Sequence, residues 1–347
     1  MSLVILVRHL RWNLRWRRSD DLGITNYELR IINPGLRKRK YYSFCLVNMA
    51  AYLETYERGE LEERIEKLED MLNVCRLCPR GCGVNRNRGE RGYCNSDKDL
   101  LVSSVQPHFG EEDVLVGAHG SGTIFITNCN LGCVYCQNYD INHLGYGRRM
   151  TEEELAIKML NLQNSGCHNI NFVTPTHYTP QIVKAVKIAI EKGLQIPIVY
   201  NCGGYEAKST IELLDGIVDI YMPDIKYGDV ESGKRYSNAP DYFTVCKEAV
   251  KEMHRQVGDL KLDGVARQGL LIRHLMLPNG LAGSAEVLKF IATEISTKSY
   301  VNIMLQYRPM YKAYEYKELN RGVNMGEYRD AIAIASKLGL HRGFERV

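Results

Sequence analysis

From residue 121 onward, six short runs of β-branched and aliphatic residues recur with helix-forming stretches between them. They are "TIFIT" (123–127), "NINFV" (169–173), "IPIVY" (196–200), "IVDIYMP" (217–223), "LLIRHLML" (270–277) and "YVNIMLQY" (300–307). Runs this apolar suit strands covered on both faces. Between them, "TEEELAIKMLNLQNSG" opens with a threonine cap and first-turn acids, and "PQIVKAVKIAIEKG" ends in Lys and Gly. Further helices are expected near 206–215, 241–257, 284–296 and 326–338. Strand and helix in strict alternation imply a parallel sheet with right-handed crossovers. Six units are too few to close an eight-stranded barrel. The expected fold is therefore α/β, a partial (β/α)6 TIM-type barrel, in preference to a flat doubly wound sheet. In both architectures a site lies at the carboxyl ends of the strands.

That rule gives meaning to "TNCNLGCVYCQN" (127–138), which starts at the end of the first strand and holds Cys129, Cys133 and Cys136. The same spacing would also suit a buried helical stripe of small thiols. Gly132, Asn130 and Asn138 argue against a regular helix there, and metal ligation is the stronger reading. Three thiolates on a 4Fe-4S cluster leave one iron with an open position for a ligand, which points to chemistry at the metal rather than simple electron storage.

A second group, Cys75, Cys78, Cys82 and Cys94, stands in "CRLCPRGCGVNRNRGERGYC". Cys-x2-Cys-x3-Cys-x11-Cys with interleaved glycines suits a knuckle wrapped around zinc or a second iron-sulfur cluster, and the spacing does not separate the two. Just before it, Leu61, Ile65, Leu68 and Leu72 fall at helical spacing among charges, an amphipathic helix made to pack on the main body.

Charge divides the chain at Met49. Residues 1–48 hold ten Lys or Arg against three acids, +7, and the whole chain is +4, so the remainder is −3. The expected organisation is a basic extension at 1–48, which the catalytic body does not need; a helical and four-Cys segment at 49–120; and the barrel at 121–347. A slightly acidic body without a basic aromatic stripe disfavours nucleic acid as a partner. No run approaches the roughly 18 apolar residues of a membrane span. Eleven cysteines then fit a reducing, cytoplasmic setting, where they read as ligands or free thiols. Cys45, Cys167 and Cys246 are expected to be ordinary buried thiols.

Cys-x3-Cys-x2-Cys after the first strand of a six-unit barrel, with Tyr135 before the last cysteine, resembles the radical S-adenosylmethionine superfamily. "GSGTIFITNCNLGCVYCQNYDI", "NINFVTPTHY", "IPIVYNCGGYE", "LDGIVDIYMPDIKY", "EMHRQVG", "LLIRHLMLPN" and "YVNIMLQYRP" together resemble the PflX-type group related to pyruvate formate-lyase activating enzyme, over about residues 70–345. The resemblance implies a 4Fe-4S cluster on Cys129, Cys133 and Cys136, with S-adenosylmethionine on its open iron and Tyr135 near the adenine. It implies one electron from a flavodoxin or ferredoxin, cleavage to a 5'-deoxyadenosyl radical, and hydrogen abstraction from a substrate such as a glycyl radical partner protein. A non-catalytic iron-sulfur or zinc relay protein is the alternative.

The chain departs from that pattern after the second strand, where Gly-Gly-Glu is replaced by "TPTHY" and a "GGYE" stands at 203–206 instead. Thr174, Thr176 and His177 are therefore the candidates for cofactor contacts at that strand end. The other candidates are Asn201, beside Cys202 at the end of the third strand; Asp224 and Lys226, on one face of the fourth; and Arg273 on the fifth, a guanidinium suited to a carboxylate or ribose. His274, on the opposite face from Arg273, is read as a satisfied core residue.

Overall fold

The computed structural model describes residues 50–344 and, nearer the N-terminus, the backbone of four short strands. Two compact units result, Met1–Met49 and Ala50–Val347. In the first, Leu6–Val7 pairs antiparallel with Leu10–Arg11, and Asn26–Arg30 with Tyr41–Cys45. The side chains of the basic extension, Cys45 among them, lie outside the described residues.

The second unit is built on a nine-stranded sheet. Its strands are β1 (Leu101–His108), β2 (Ser121–Ile126), β3 (Arg148–Arg149), β4 (Ile170–Val173), β5 (Ile198–Cys202), β6 (Ile220–Pro223), β7 (Lys261–Asp263), β8 (Val265–Leu275) and β9 (Tyr300–Met304). The six predicted strands are β2, β4, β5, β6, β8 and β9, and each pairs in parallel with the next. Gly122 sits opposite Ile170, Ile170 opposite Ile198, Val199 opposite Ile220, and Leu271 opposite Tyr300. No pairing joins β2 to β9 among the described residues, so the barrel is open. β1 runs antiparallel along the outer edge of β2, with β3 beyond it, and β7 folds back on β8.

The helices follow the expected caps. They include α1 (Ala51–Glu57), α2 (Glu60–Asp70), α3 (Glu152–Asn164), α4 (Thr179–Glu191), α5 (Val230–Ser237), α6 (Tyr242–Val257), α7 (Ser284–Phe290) and α8 (Met325–Lys337). Thr151 and Glu154 close a reciprocal capping box on α3, and Asn324 and Glu327 do the same on α8. The helix expected over 284–296 is instead α7 followed by a π turn at Ile291–Ile295. Leu61, Ile65 and Leu68 of α2 are buried, as is Leu72 just beyond it. The polar flank of α2 reaches α4 through Glu69 to Lys184, at 3.1 Å, and Glu62 to Lys187.

The open barrel is plugged from within. After β1 the chain turns into a short helix, Asp113–Val116, whose Leu115 is fully buried in a cluster with Val199, Ile220, Met222, Leu260, Ala266 and Leu271. Asn169 donates its amide to the Leu115 carbonyl at 2.9 Å and accepts from the Ser121 hydroxyl at 2.7 Å. From the other side, Asn302 of β9 donates to Glu112 at 3.2 Å. One segment thereby ties the first strands to the last.

Asp219, buried at the start of β6, takes the backbone N–H of Ile198 at 2.8 Å and that of Ala51 at 2.6 Å. It pins α1 to the amino-terminal end of β6. Asp219→Ala leaves both donors unpaired, and the expected loss is about 1–3 kcal/mol of unfolding free energy in urea titration; an unchanged midpoint would show the two bonds to be dispensable.

Candidate functional site

Parallel pairing brings the ends of all six central strands to one rim. A cavity of about 660 Å³ opens there. Cys129, Cys133 and Cys136 all line it. The loop that carries them leaves β2 through Asn128, which adopts φ 73° and donates its amide to Ser96 at 3.0 Å. Each sulfur accepts a hydrogen bond: Cys129 from the Leu131 N–H at 3.3 Å, Cys133 from the Ser237 hydroxyl at 2.9 Å, and Cys136 from the Asn142 amide at 3.4 Å. Burial pushes Cys136 up to about 11 and Cys129 higher still, with the neighbouring Cys133 adding to both. Thiols so placed stay protonated until a metal ion displaces the proton. Among the described residues, no three His, Cys, Asp or Glu side chains converge on a point where one ion would sit. Three thiols lining one cavity, each with its own hydrogen-bond donor, are a donor set of the kind that holds a 4Fe-4S cluster.

The knuckle packs directly on this loop. Gly81 and Gly83 turn it at φ 49° and 69°, and the Cys75 and Val84 backbones pair at 2.9 Å. Cys75, Cys78 and Cys94 are buried, and Cys82 accepts from the Tyr93 N–H at 3.3 Å. From the turn between Cys78 and Cys82, Arg80 donates to the carbonyls of Asn130, at 3.0 Å, and Ser237, at 3.2 Å, while its guanidinium lies over the Tyr93 ring at 3.7 Å. A Cβ at Gly132 would meet the Tyr93 hydroxyl, the tip of an exposed side chain that has room to move aside. Sequence reasoning missed both Arg80 and Ser237. Each acts across a long stretch of chain, and only the Arg80 position within the knuckle hinted at a role.

The opposite wall is ionic. Asp224 accepts from Lys226 at 2.6 Å and from Arg273 at 2.7 Å, and Arg273 also donates to Asn201 at 2.7 Å. Burial alone would raise the Asp224 pKa, but the two cations outweigh it and hold it below the ordinary value. All four residues line the cavity, as do Tyr135 and Thr174. Two of the Arg273 nitrogens are thus committed to hydrogen bonds, the third lies 3.6 and 3.8 Å from Glu111 and Glu112, and Lys226 keeps spare donors. Thr174 adopts φ 61°, a left-handed conformation that β-branched residues rarely enter, at the strand end where Gly-Gly-Glu was expected. Tyr135 is locked by its hydroxyl on Tyr227 at 2.7 Å and by edge contacts with Tyr227 and Tyr307.

Two of the expected cofactor contacts do not line the cavity. Thr176 and His177 are buried behind the cavity wall, where the Thr176 hydroxyl donates to Glu206 at 2.8 Å and the His177 Nε2 bonds to the Thr127 carbonyl at 2.8 Å. Burial lowers His177 to about 3, a neutral core histidine. Cys202 does line the cavity, but burial raises its thiol far above the ordinary range. His274 is the core residue expected, bonded to the Ile225 carbonyl at 2.6 Å and to Ser284 at 2.8 Å. Cys167 and Cys246 are buried free thiols. Glu206 of "GGYE" is enclosed, not offered to a ligand, and burial pushes it up to about 8 against hydrogen bonds from Thr176 and Tyr200. Its folded form holds an extra proton between about pH 4.5 and 8, so wild-type stability falls as pH rises through that window. Glu206→Gln is expected to lessen that fall, by at most ~1.4 kcal/mol per pH unit, in denaturant titrations from pH 5 to 8; parallel curves for the two proteins would refute the assignment.

Comparison with known proteins agrees with this geometry. Residues 123–264 match the model of the radical SAM superfamily. Two proteins of Methanocaldococcus jannaschii are related in sequence. Uncharacterized protein MJ0674 is 33% identical over 296 residues, 83% of this chain and 82% of its own length. Uncharacterized protein MJ0808 is 24% identical over 71% of this chain and 74% of its own. Among solved structures, HydG, a maturase of the FeFe hydrogenase, superposes with a TM-score of 0.45 at 12% identity, covering 63% of this chain and 50% of HydG. The family-model match and the relationship to MJ0674 show that the chain belongs to the radical SAM superfamily.

Proposed function

We propose that the chain is a radical S-adenosylmethionine enzyme that takes a hydrogen atom from a second molecule bound in the same cavity. The observation that carries this reading is the lining of one cavity by Cys129, Cys133 and Cys136 on one side and by Asp224, Lys226 and Arg273 on the other. Cys129, Cys133 and Cys136 would hold a 4Fe-4S cluster, which would supply the electron for reductive cleavage of S-adenosylmethionine.

The residues contribute binding, orientation and exclusion of water. Lys226 spends one ammonium hydrogen on Asp224 and keeps two for an anionic group such as a carboxylate. Arg273 is held in one orientation by Asp224 and Asn201, with Glu111 and Glu112 beside its third nitrogen, so its charge is placed without further ordering. Thr174 is the one residue of "TPTHY" on the cavity surface and takes the place of Gly-Gly-Glu at that strand end. Tyr135, fixed between Tyr227 and Tyr307, offers a rigid face at the thiol side.

The resemblance of the chain to the PflX-type group related to pyruvate formate-lyase activating enzyme favours an activating role, with a glycyl radical site on a partner protein as substrate and a reduced flavodoxin or ferredoxin as electron donor. The same proposal includes a second metal site at Cys75, Cys78, Cys82 and Cys94; since no three of these thiols converge on one ion position, a second iron-sulfur cluster fits them better than zinc. What supports it is the four-thiol turn and its hydrogen bonds to the cluster loop through Arg80. The ten described cysteines are free thiols, in keeping with reaction in the reducing cytoplasm.

Anaerobically reconstituted, reduced protein given S-adenosylmethionine is expected to release 5'-deoxyadenosine, measured by chromatography, and Cys133→Ala to release none. Release that persists in that variant would remove the three-thiolate reading. Ser237→Ala is expected to retain the cluster but to shift its reduction potential downward in an electrochemical titration, because the lost hydroxyl no longer offsets charge on the Cys133 sulfur. An unshifted potential would show that this bond does not tune the cluster.

A further inference from the structure

Behind the thiol loop three hydroxyls stand in line. Tyr135, on the cavity wall, donates to the Tyr227 oxygen at 2.7 Å. The Tyr227 and Ser237 hydroxyls lie 2.7 Å apart, and Ser237 donates to the Cys133 sulfur at 2.9 Å. Each hydroxyl has a single proton to give. Tyr227 and Ser237 are fully buried and Tyr135 nearly so, which keeps bulk water from offering those protons another acceptor.

The fold holds this line at both ends. Tyr227 follows Lys226 just beyond β6, so the strand end that sends Asp224 and Lys226 to the cavity also sets the tyrosine. Its ring meets Tyr242 edge-on at 5.3 Å, and the Tyr242 hydroxyl in turn lies 2.8 Å from the Gly203 and Asp224 carbonyls and accepts from the Lys226 N–H at 2.9 Å. Ser237 closes α5, whose Tyr236 carbonyl accepts from the Val134 N–H of the thiol loop at 2.9 Å. The direction of the line follows from its last member. A cysteine that ligates a metal is a thiolate, an acceptor with no proton to return. Ser237 then spends its proton on sulfur and must accept from Tyr227, and Tyr227 must accept from Tyr135. Hydrogen bonds aligned head to tail polarise one another, so each hydroxyl behind Ser237 strengthens the bond to sulfur.

We propose that Tyr227 is a positioning residue that directs the Ser237 proton onto the Cys133 sulfur, with Tyr135 as the outermost donor, and that this one-way line raises the reduction potential of the cluster. The inference rests on the reading of Cys133 as a cluster ligand. No proton leaves its oxygen; the line fixes only where each one points. A donor aimed at a ligating sulfur offsets the negative charge that reduction adds, and a stronger donor offsets more of it.

The test uses anaerobically reconstituted protein of measured iron content and reads the cluster potential in an electrochemical titration, which needs no turnover. Tyr227→Phe keeps the ring and its contact with Tyr242 and removes only the hydroxyl. Its potential is expected to lie below the wild-type value, by less than that of Ser237→Ala. In the Ser237→Ala background, Tyr227→Phe is expected to add no further shift, because the hydroxyl through which it acts is gone. Tyr135→Phe gives the same comparison, with a smaller shift, should the first variant fail to fold. An unshifted potential in Tyr227→Phe, or an equal shift with and without the Ser237 hydroxyl, overturns the proposal and leaves the cluster reading intact. Wild-type protein that takes up no iron, or Cys133→Ala that keeps a cluster of unchanged potential, removes the cluster reading and the proposal with it.

Discussion

Parallel pairing of six strands is the constraint from which the site follows. Because β2, β4, β5, β6, β8 and β9 all run the same way, their carboxyl ends share one rim. Residues far apart in the chain, such as Cys129, Asn201, Asp224 and Arg273, thereby line one cavity. The arrangement also leaves the sheet open between β2 and β9, and an open barrel must be filled. The segment around Leu115 fills it and, in doing so, delivers Glu111 and Glu112 to the rim. A packing requirement thus sets part of the chemistry of the cavity.

Two polar arrangements at that rim are secured in different ways. Asp224 is a buried carboxylate whose charge is held by two cations, and the mutual attraction outweighs the desolvation that would otherwise neutralise it. The thiol loop has no such ionic anchor. It is braced by hydrogen bonds to each sulfur and by Arg80, which links the knuckle to Asn130 and to the residue that donates to Cys133. The knuckle and the cluster loop therefore form one packed unit, and changes at the first are felt at the second.

Much of this was legible in the chain. Strand identity was readable because runs buried on both faces need no polar alternation, and α3 and its cap were readable because Thr151 and Glu154 act within four residues. The three thiols were readable from spacing alone. His177 misled because a histidine near a strand end looks like a ligand, whereas its depth depends on how tightly β4 and the helix after it pack. Glu111 and Glu112 gave no signal, since a pair of acids in a loop is ordinarily solvated; only the plug encloses them.

The sequence by itself determined the local features: which runs become strands, where helices begin, that the strands must be parallel, and which cysteines stand close enough to act together. These depend on interactions among neighbours a few residues apart, or on periodicity that one segment carries alone. The tertiary structure decided which polar groups face the cavity and which are enclosed behind it, separating Thr174 from Thr176 two positions later. It also decided that Arg80, Ser237 and Glu112 belong to the site. Those outcomes rest on contacts between segments distant in the chain, whose distances and desolvation exist only once the sheet has formed.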